Sequence, residues 1–274
     1  MTRRMDRRAL FTSGAAAALL AATGLSAQAA PRRGGRLRIA VPRENGSLDL
    51  IMRAAVFDTL TEVGADGVLR GELATDWRLI GNANAWEFDL RNDVLFHDGR
   101  PMSADDVVAS IAGNWPDVKI TAVSEWTLRF QAAEPTPNLP MMLADPTFIV
   151  RPAGDDSGLV GTGLYRAASW QEGRAFLGKR CDAHYKDGRA GWFDAVEVAV
   201  IPDPAVRAQA LKEGFVDVAE LPDPQSLSVR DDLFLFPDAD RMKLAAREGL
   251  ARPRFVGARL PLDDGRISER WWML

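Results

Sequence analysis

The sequence predicts an α/β fold: a mixed sheet, with a small β-rich subdomain set into the chain. Three observations carry this. Period-2 alternation of apolar and polar residues marks strands at Arg36–Val41, 86–91 and 193–201. Two stretches open with helix-start signals, Ser103 followed three residues later by Asp106, and Asp203 followed by Pro204. Between 75 and 157, short β-rich runs follow one another with turn residues between them.

In chain order, residues 1–29 read as a signal peptide. A basic start with Arg3, Arg4, Arg7 and Arg8 precedes a short Ala-rich core at 15–22, and Ala27-Gln28-Ala29 fits a small-x-small cleavage site. The core is too short to span a bilayer, which needs about 20 apolar residues. Arg7-Arg8-Ala9-Leu10-Phe11 resembles a twin-arginine signal, with an ordinary secretory signal as the alternative. The expected location of the mature chain is therefore periplasmic, after cleavage near Ala29.

Leu37, Ile39 and Val41 alternate in the first strand, and 48–60 reads as a helix. Ala65-Asp66-Gly67 is a hairpin turn. Trp86, Phe88 and Leu90 form the buried face of a strand, with Glu87, Asp89 and Arg91 outward. Asp98-Gly99 is a turn, and Ser103 caps a helix whose stripe is Val107, Val108 and Ile111. Runs at 118–122 and 126–130 make a hairpin around Ser124-Glu125. Residues 139–143 form a short apolar turn or helix, 147–150 a brief buried strand and 151–158 an exposed loop. Gly161-Thr162-Gly163 permits close approach of another segment and lacks the Lys-Ser/Thr ending of a phosphate-binding loop. Residues 164–170 and 174–180 pair antiparallel around Glu172-Gly173. Asp203 and Pro204 open a helix with Val206, Ala210 and Leu211 inward and Gly214 at its end. A short strand follows at 215–219.

Several of these stretches carry a family resemblance. Glu-Leu-Ala-x-x-Trp at 72–77, Trp-x-Phe-x-Leu-Arg-x-x-Val-x-Phe-His-Asp-Gly at 86–99 and Ser-Ala-Asp-Asp-Val-x-x-Ser at 103–110 resemble the signature region of family 5 solute-binding proteins. Those are extracytoplasmic oligopeptide, dipeptide and nickel receptors of ABC importers. Gly161-Thr162-Gly163-Leu164-Tyr165 is similar to the family's Gly-Thr-Gly-Pro-Tyr, with Leu164 for Pro, and Ala210–Ala219 fits closely. The resemblance thins over 221–259 and returns briefly at 260–267. It implies the periplasmic-binding-protein-like first lobe: main α/β lobe at 30–74 and 158–220, small β-rich subdomain at 75–157, and an extension at 221–274. The second large lobe that closes over solute in the family is expected to be missing.

The resemblance further implies solute capture for an ABC permease of the inner membrane, with a peptide-like or other small solute. Self-association through the exposed lobe face would complete the cleft, and the alternative is an exported accessory protein that does not bind solute alone. Position in the family places Arg53, Trp115, Asp145 and Thr147 near the cleft. Thr162 joins this ligand-binding set, although its loop reads first as a crossover. No cofactor, metal or catalysis is expected.

Composition agrees with these limits. Net charge is −4, and the first 29 residues are basic, so the remainder is acidic and unsuited to nucleic acid. Cys181 is the single cysteine and cannot form an intrachain disulfide. His97 and His184 stand apart and read as structural. Asp105-Asp106 and Asp263-Asp264 sit at helix starts, where acids favour the dipole. Trp77, Trp86 and Trp126 read as core, while Trp271 and Trp272 cap an apolar surface or meet a partner.

Overall fold

The computed structural model describes residues 33–222 apart from 45, 65–67, 82, 83, 156 and 189, together with strands at 233–237 and 243–247. The expected leader, the turn at 65–67, Asp263-Asp264, Trp271 and Trp272 lie outside the described residues.

The main sheet has seven strands in the order β12-β13-β11-β1-β10-β9-β8. These are β12 Leu233–Pro237, β13 Lys243–Arg247, β11 Val218–Leu221, β1 Arg36–Val41, β10 Ala195–Val200, β9 Ala175–Arg180 and β8 Tyr165–Gln171. β1 runs parallel to β10 and β11, and the other pairings are antiparallel, so the sheet is mixed. Its central strand is covered on both faces. Leu37, Ile39 and Val41 pack with Ile51 and Ala55 of helix α1 (Ser47–Val56). Ala40, on the opposite face, packs with Ala208 and Leu211 of helix α4 (Pro204–Glu213). Arg38 shares that second face and escapes burial by a forked pair with Asp217, Nε–Oδ2 3.0 Å and Nη2–Oδ1 2.8 Å.

The second sheet is antiparallel, in the order β4-β5-β7-β6: β4 Ala74–Ile80, β5 Ala85–Leu90, β7 Thr127–Ala132 and β6 Val118–Ser124. One face carries Phe88, Leu90, Leu128, Phe130 and Ile120 against Val107 and Ile111 of helix α2 (Ala104–Ile111). Phe88 and Phe130 meet edge-on at 5.2 Å. The expected capping box is present: the Asp106 amide donates to Ser103 Oγ at 3.4 Å, and the Ser103 amide donates to Asp106 Oδ2 at 2.9 Å. The same carboxylate accepts the Ala153 amide at 2.9 Å, tying the 151–158 loop to α2. A separate hairpin, β2 Thr61–Val63 with β3 Leu69–Gly71, precedes this sheet.

Five expectations need correction. Helix α1 stops at Val56 and not near residue 60. The Gly163 amide takes the Val56 carbonyl at 2.8 Å, so the next turn loses that acceptor and Phe57 becomes extended. Residues 147–150 are not a strand. Asp145 Oδ1 accepts the Thr147 amide at 2.8 Å and Pro146 fixes the first turn, giving a 3-10 turn over Pro146–Phe148. Glu87 does not point freely outward: it is 8% exposed, with its carboxylate between the guanidinium groups of Arg78 and Arg129. In α4 the inward residue is Arg207 and not Val206, which is 52% exposed. Arg207 donates to the carbonyls of Ile201, Pro202 and Glu220, so its buried donors are satisfied by strand and turn ends. The strand expected at 215–219 starts only at Val218, because Gly214 at φ 78° turns the chain and leaves Phe215 at the surface.

Candidate functional site

The chain leaves the main sheet through Phe57–Thr61 and comes back through Gly161–Gly163. The two passes touch backbone to backbone. A Cβ on Gly163 would stand 2.5 Å from the Ala55 carbonyl oxygen, and one on Gly161 2.1 Å from that of Val56. Both histidines brace the returning pass. His97 Nε2 lies 2.7 Å from the Gly163 carbonyl, and its Nδ1 accepts the Gly161 amide at 3.4 Å. His184 Nε2 lies 2.7 Å from the Thr162 carbonyl, and its Nδ1 accepts the Lys186 amide at 3.1 Å. Each ring therefore donates from Nε2 and accepts at Nδ1, the pattern of a neutral imidazole. Burial holds the pKa of His97 below its usual value, in agreement. Cys181 approaches the Gly163 carbonyl at 3.8 Å, and burial raises its pKa, so the thiol stays protonated.

Beside this crossing lies a buried ionic cluster that no local motif announced. Lys186 Nζ is 3.6 Å from Asp58 Oδ1 and 3.3 Å from Glu62 Oε2, and it donates to Glu72 Oε1. Glu72 Oε2 accepts from the Thr59 amide at 3.1 Å and the Thr59 hydroxyl at 3.0 Å. Tyr185 is stacked under the Arg91 guanidinium at 4.8 Å. Thr162 belongs here: it is 1% exposed and its hydroxyl donates to Asp58 Oδ2 at 3.0 Å. Its side chain braces the crossing and does not line an open face.

Three carboxylates around one ammonium set the protonation of the cluster. Burial pushes the Glu72 carboxyl well above the usual carboxylate range, Lys186 opposes this, and Glu62 and Asp58 reinforce it. A carboxyl whose pKa is raised by folding supplies stability that is complete below its unfolded value, about 4.3, and is lost as pH rises through the folded value. Glu72→Gln has no proton to lose. The decline in Tm between pH 5 and pH 8 should therefore be shallower in Glu72→Gln than in the native protein, whatever its absolute Tm. Equal slopes in scanning calorimetry would show that Glu72 does not titrate in this window.

The other four sequence-derived site residues are strung along one segment and its neighbours. Arg53, in the last turn of α1, borders a pocket with Ala54, Phe57, Thr59, Ala144, Pro146 and Ile149. Asp145 and Thr147 flank Pro146 in the 3-10 turn. Asn114 Nδ2 donates to the Thr147 carbonyl at 3.0 Å, and Trp115 stacks on Phe148 at 5.1 Å. Trp115 is half-buried and packs against the small-sheet core, so only part of its ring faces outward. Met141 and Met142, 46% and 36% exposed, lie two to three residues from Ala144, which lines the pocket. Their exposure had no signal in the sequence, where 139–143 reads simply as apolar.

A mixed α/β sheet covered on both faces, joined to an antiparallel sheet through a double crossing, defines one lobe of a periplasmic-binding-protein fold. Residues 68–234 match the family model for bacterial extracellular solute-binding proteins, family 5 (middle), and the chain belongs to that family. It is 28% identical over 176 residues to the probable D,D-dipeptide-binding periplasmic protein DdpA of Escherichia coli K12, covering 56% of this chain and 34% of that protein. It is 26% identical to the probable peptide ABC transporter periplasmic-binding protein y4tO of Sinorhizobium fredii, covering 78% of this chain and 48% of that protein. The solved structure of the binding protein AgaA with agropinic acid, from A. tumefaciens R10, aligns at TM-score 0.65 and 24% identity, covering 74% of this chain and 48% of that one. The chain thus spans between a third and a half of the length of these two curated relatives.

Proposed function

We propose that the protein is the extracytoplasmic solute-binding component of an ABC importer, and that its solutes are peptide-like. Membership of family 5 over 68–234 carries this reading, and the peptide-binding names of the two curated relatives favour that solute class. In this reading residues 1–29 export the chain to the periplasm. Residues 30–74 and 158–220 form the main lobe, 75–157 the small subdomain, and an inner-membrane permease receives the solute. Binding is non-covalent, at the open face bordered by Arg53, Trp115, Asp145 and Thr147. Apolar walls supply burial and a few polar groups supply orientation. The double crossing holds the 144–149 segment against the end of α1, so the face is pre-formed. Among the described residues no helix is long and apolar enough to cross a membrane.

Exposed Met141 and Met142 close to this face favour a second reading, an exported protein whose apolar rim meets another protein or a second copy of the chain. One experiment separates the two. Thermal unfolding is followed with di- to pentapeptide mixtures and nickel chelates. A solute present at a hundred times its Kd adds about 2.7 kcal/mol of apparent stability. For a domain of this size that raises Tm by roughly 5–10 °C. No shift with any of them, together with a concentration-dependent dimer in sedimentation, overturns the first reading in favour of the second.

A further inference from the structure

The main sheet is covered unevenly on its second face, the one away from α1. Ala40 of β1, Ala199 of β10 and Ala175 of β9 stand side by side in register on that face. Ala40 is fully buried under α4, whereas Ala199 and Ala175 are half-buried. Leu177, two residues along β9 on the same side, is half-buried as well. Ala175, Leu177 and Ala199 belong to none of the hydrophobic cores. The described helix that packs against β8, β9 and β10 is α1, on the first face, where Phe176, Val196 and Val198 are buried. Charge is uneven on the open side too. Glu197, the one acid of these three strands, is taken by Arg36 of β1 at 2.8 Å. Arg166 of β8 and Lys179 of β9 stand directly opposite each other, both exposed, and neither closes an ion pair among the described residues. Like charges placed opposite on neighbouring strands repel, and no described acid offsets them.

Parallel strands such as β1 and β10 are ordinarily covered on both faces. Packed helices lie about 8–10 Å apart, and neighbouring strands about 4.8 Å apart. A helix laid beside α4 therefore sits two strands over, on Ala199, Ala175 and Leu177. We propose that this side of the sheet receives an amphipathic helix of another protein, its apolar stripe on those three residues and carboxylates at its edge meeting Arg166 and Lys179. Charge selects the occupant. A second copy of the chain brings the same two unpaired cations, and the chain's own residues 248–274 carry five arginines against four acids. Neither supplies the surplus of carboxylate that the patch lacks. The surface lies across the sheet from α1, whose end borders the face proposed to take solute, so the two can be occupied independently.

The test uses the full chain and three peptides of about 18 residues, long enough to form a helix on the sheet. The first has a Leu/Ala stripe flanked by glutamates. The second has lysines in place of the glutamates. The third is the first in scrambled order, without a stripe. Binding is followed by fluorescence anisotropy. The glutamate peptide should bind about tenfold more tightly than either of the others, through two exposed charge pairs and burial of the stripe. In Arg166→Glu/Lys179→Glu the preference should pass to the lysine peptide with Tm kept, because neither side chain has an ion-pair partner to lose. Arg43→Glu/Arg151→Glu makes the same change of charge past the far end of β1 and in the 151–158 loop, and should leave the preference as it is. Equal binding of the glutamate peptide and either of the others overturns the proposal. So does a preference for glutamate that survives in Arg166→Glu/Lys179→Glu, and so does binding of none of the three. A concentration-dependent dimer in sedimentation that is lost in Arg166→Glu/Lys179→Glu would make this a surface between copies and overturn the assignment to another protein.

Discussion

Lys186→Met should lower the Tm at pH 8 by on the order of 10 °C. The side chain of Lys186 is 8% exposed and those of Asp58, Glu62 and Glu72 are 0%, 13% and 3% exposed. Methionine keeps the length of the side chain and its apolar stem, so the packing change is small. What is lost is the cation that makes three buried carboxyl groups tolerable. Removing one partner of a buried ion pair costs about 3–5 kcal/mol, because the remaining charge has neither water nor counter-charge. A domain of this size loses about 2–4 °C per kcal/mol. The defect has a distinctive pH dependence. Protonation of the carboxyl groups removes the uncompensated charge, so the gap between variant and native protein should narrow as pH is lowered toward 5. A gap that stays constant with pH would mean that the loss is one of packing and that the charge balance is unimportant.

Gly163→Ala should destabilise by about 3 kcal/mol, the upper range for forcing extra atoms into a packed interior. Its Cβ would meet the Ala55 carbonyl oxygen at 2.5 Å, the Val56 carbonyl carbon at 2.6 Å and the Phe57 amide nitrogen at 2.8 Å. All three are backbone atoms at the end of α1, so no side chain can swing aside. The returning pass would have to lift away, stretching the 2.8 Å bond from the Gly163 amide to Val56 and the His97 contact to the Gly163 carbonyl. Gly173→Ala is the control. Its turn has φ 62° with nothing within 4 Å of a new Cβ, so it carries only the local cost of a left-handed residue, about 1 kcal/mol. Equal Tm losses in the two variants would show that the close approach at Gly163 does not matter.

The 144–149 segment is joined to this crossing, so Lys186→Met and Gly163→Ala bear on the face proposed to take solute as well as on stability. Pro146 and Ile149 share a pocket with Arg53, and the Val150 amide bonds the Asp58 carbonyl at 3.0 Å. A loosened crossing moves the acid-bearing turn relative to α1. Solute affinity is expected to fall with Tm in this pair of variants.

Much of the framework was legible from residues alone. Strand β1, both hairpin strands around Ser124-Glu125, the capping box of α2 and the Asp203–Gly214 limits of α4 all follow from patterns a few residues long. Cap and turn chemistry is local: the acceptor and the donor it serves lie two to four positions apart. The misreadings share the opposite cause. Periodicity placed Val206 inward, but the long-range acceptors at Ile201 and Glu220 draw Arg207 in and turn Val206 out. Helix α1 is cut short by an amide from residue 163, more than a hundred residues away. Thr162 was placed in the ligand-binding set although its loop reads first as a crossover, and no short window shows what its hydroxyl meets. Its neighbour turned out to be the protein's own Asp58.

The sequence alone was enough to establish the α/β class, the principal strands and helices and the family, because these rest on short-range pattern and on motifs that stand contiguous in the chain. Only the tertiary structure could decide that Lys186 neutralises Asp58, Glu62 and Glu72, that both histidines are spent on bracing carbonyls, and that Arg53 stands exposed beside Phe57, Pro146 and Ile149. Charge balance and burial are properties of groups brought together across as many as 128 residues, from Asp58 to Lys186, and no window of sequence contains both partners.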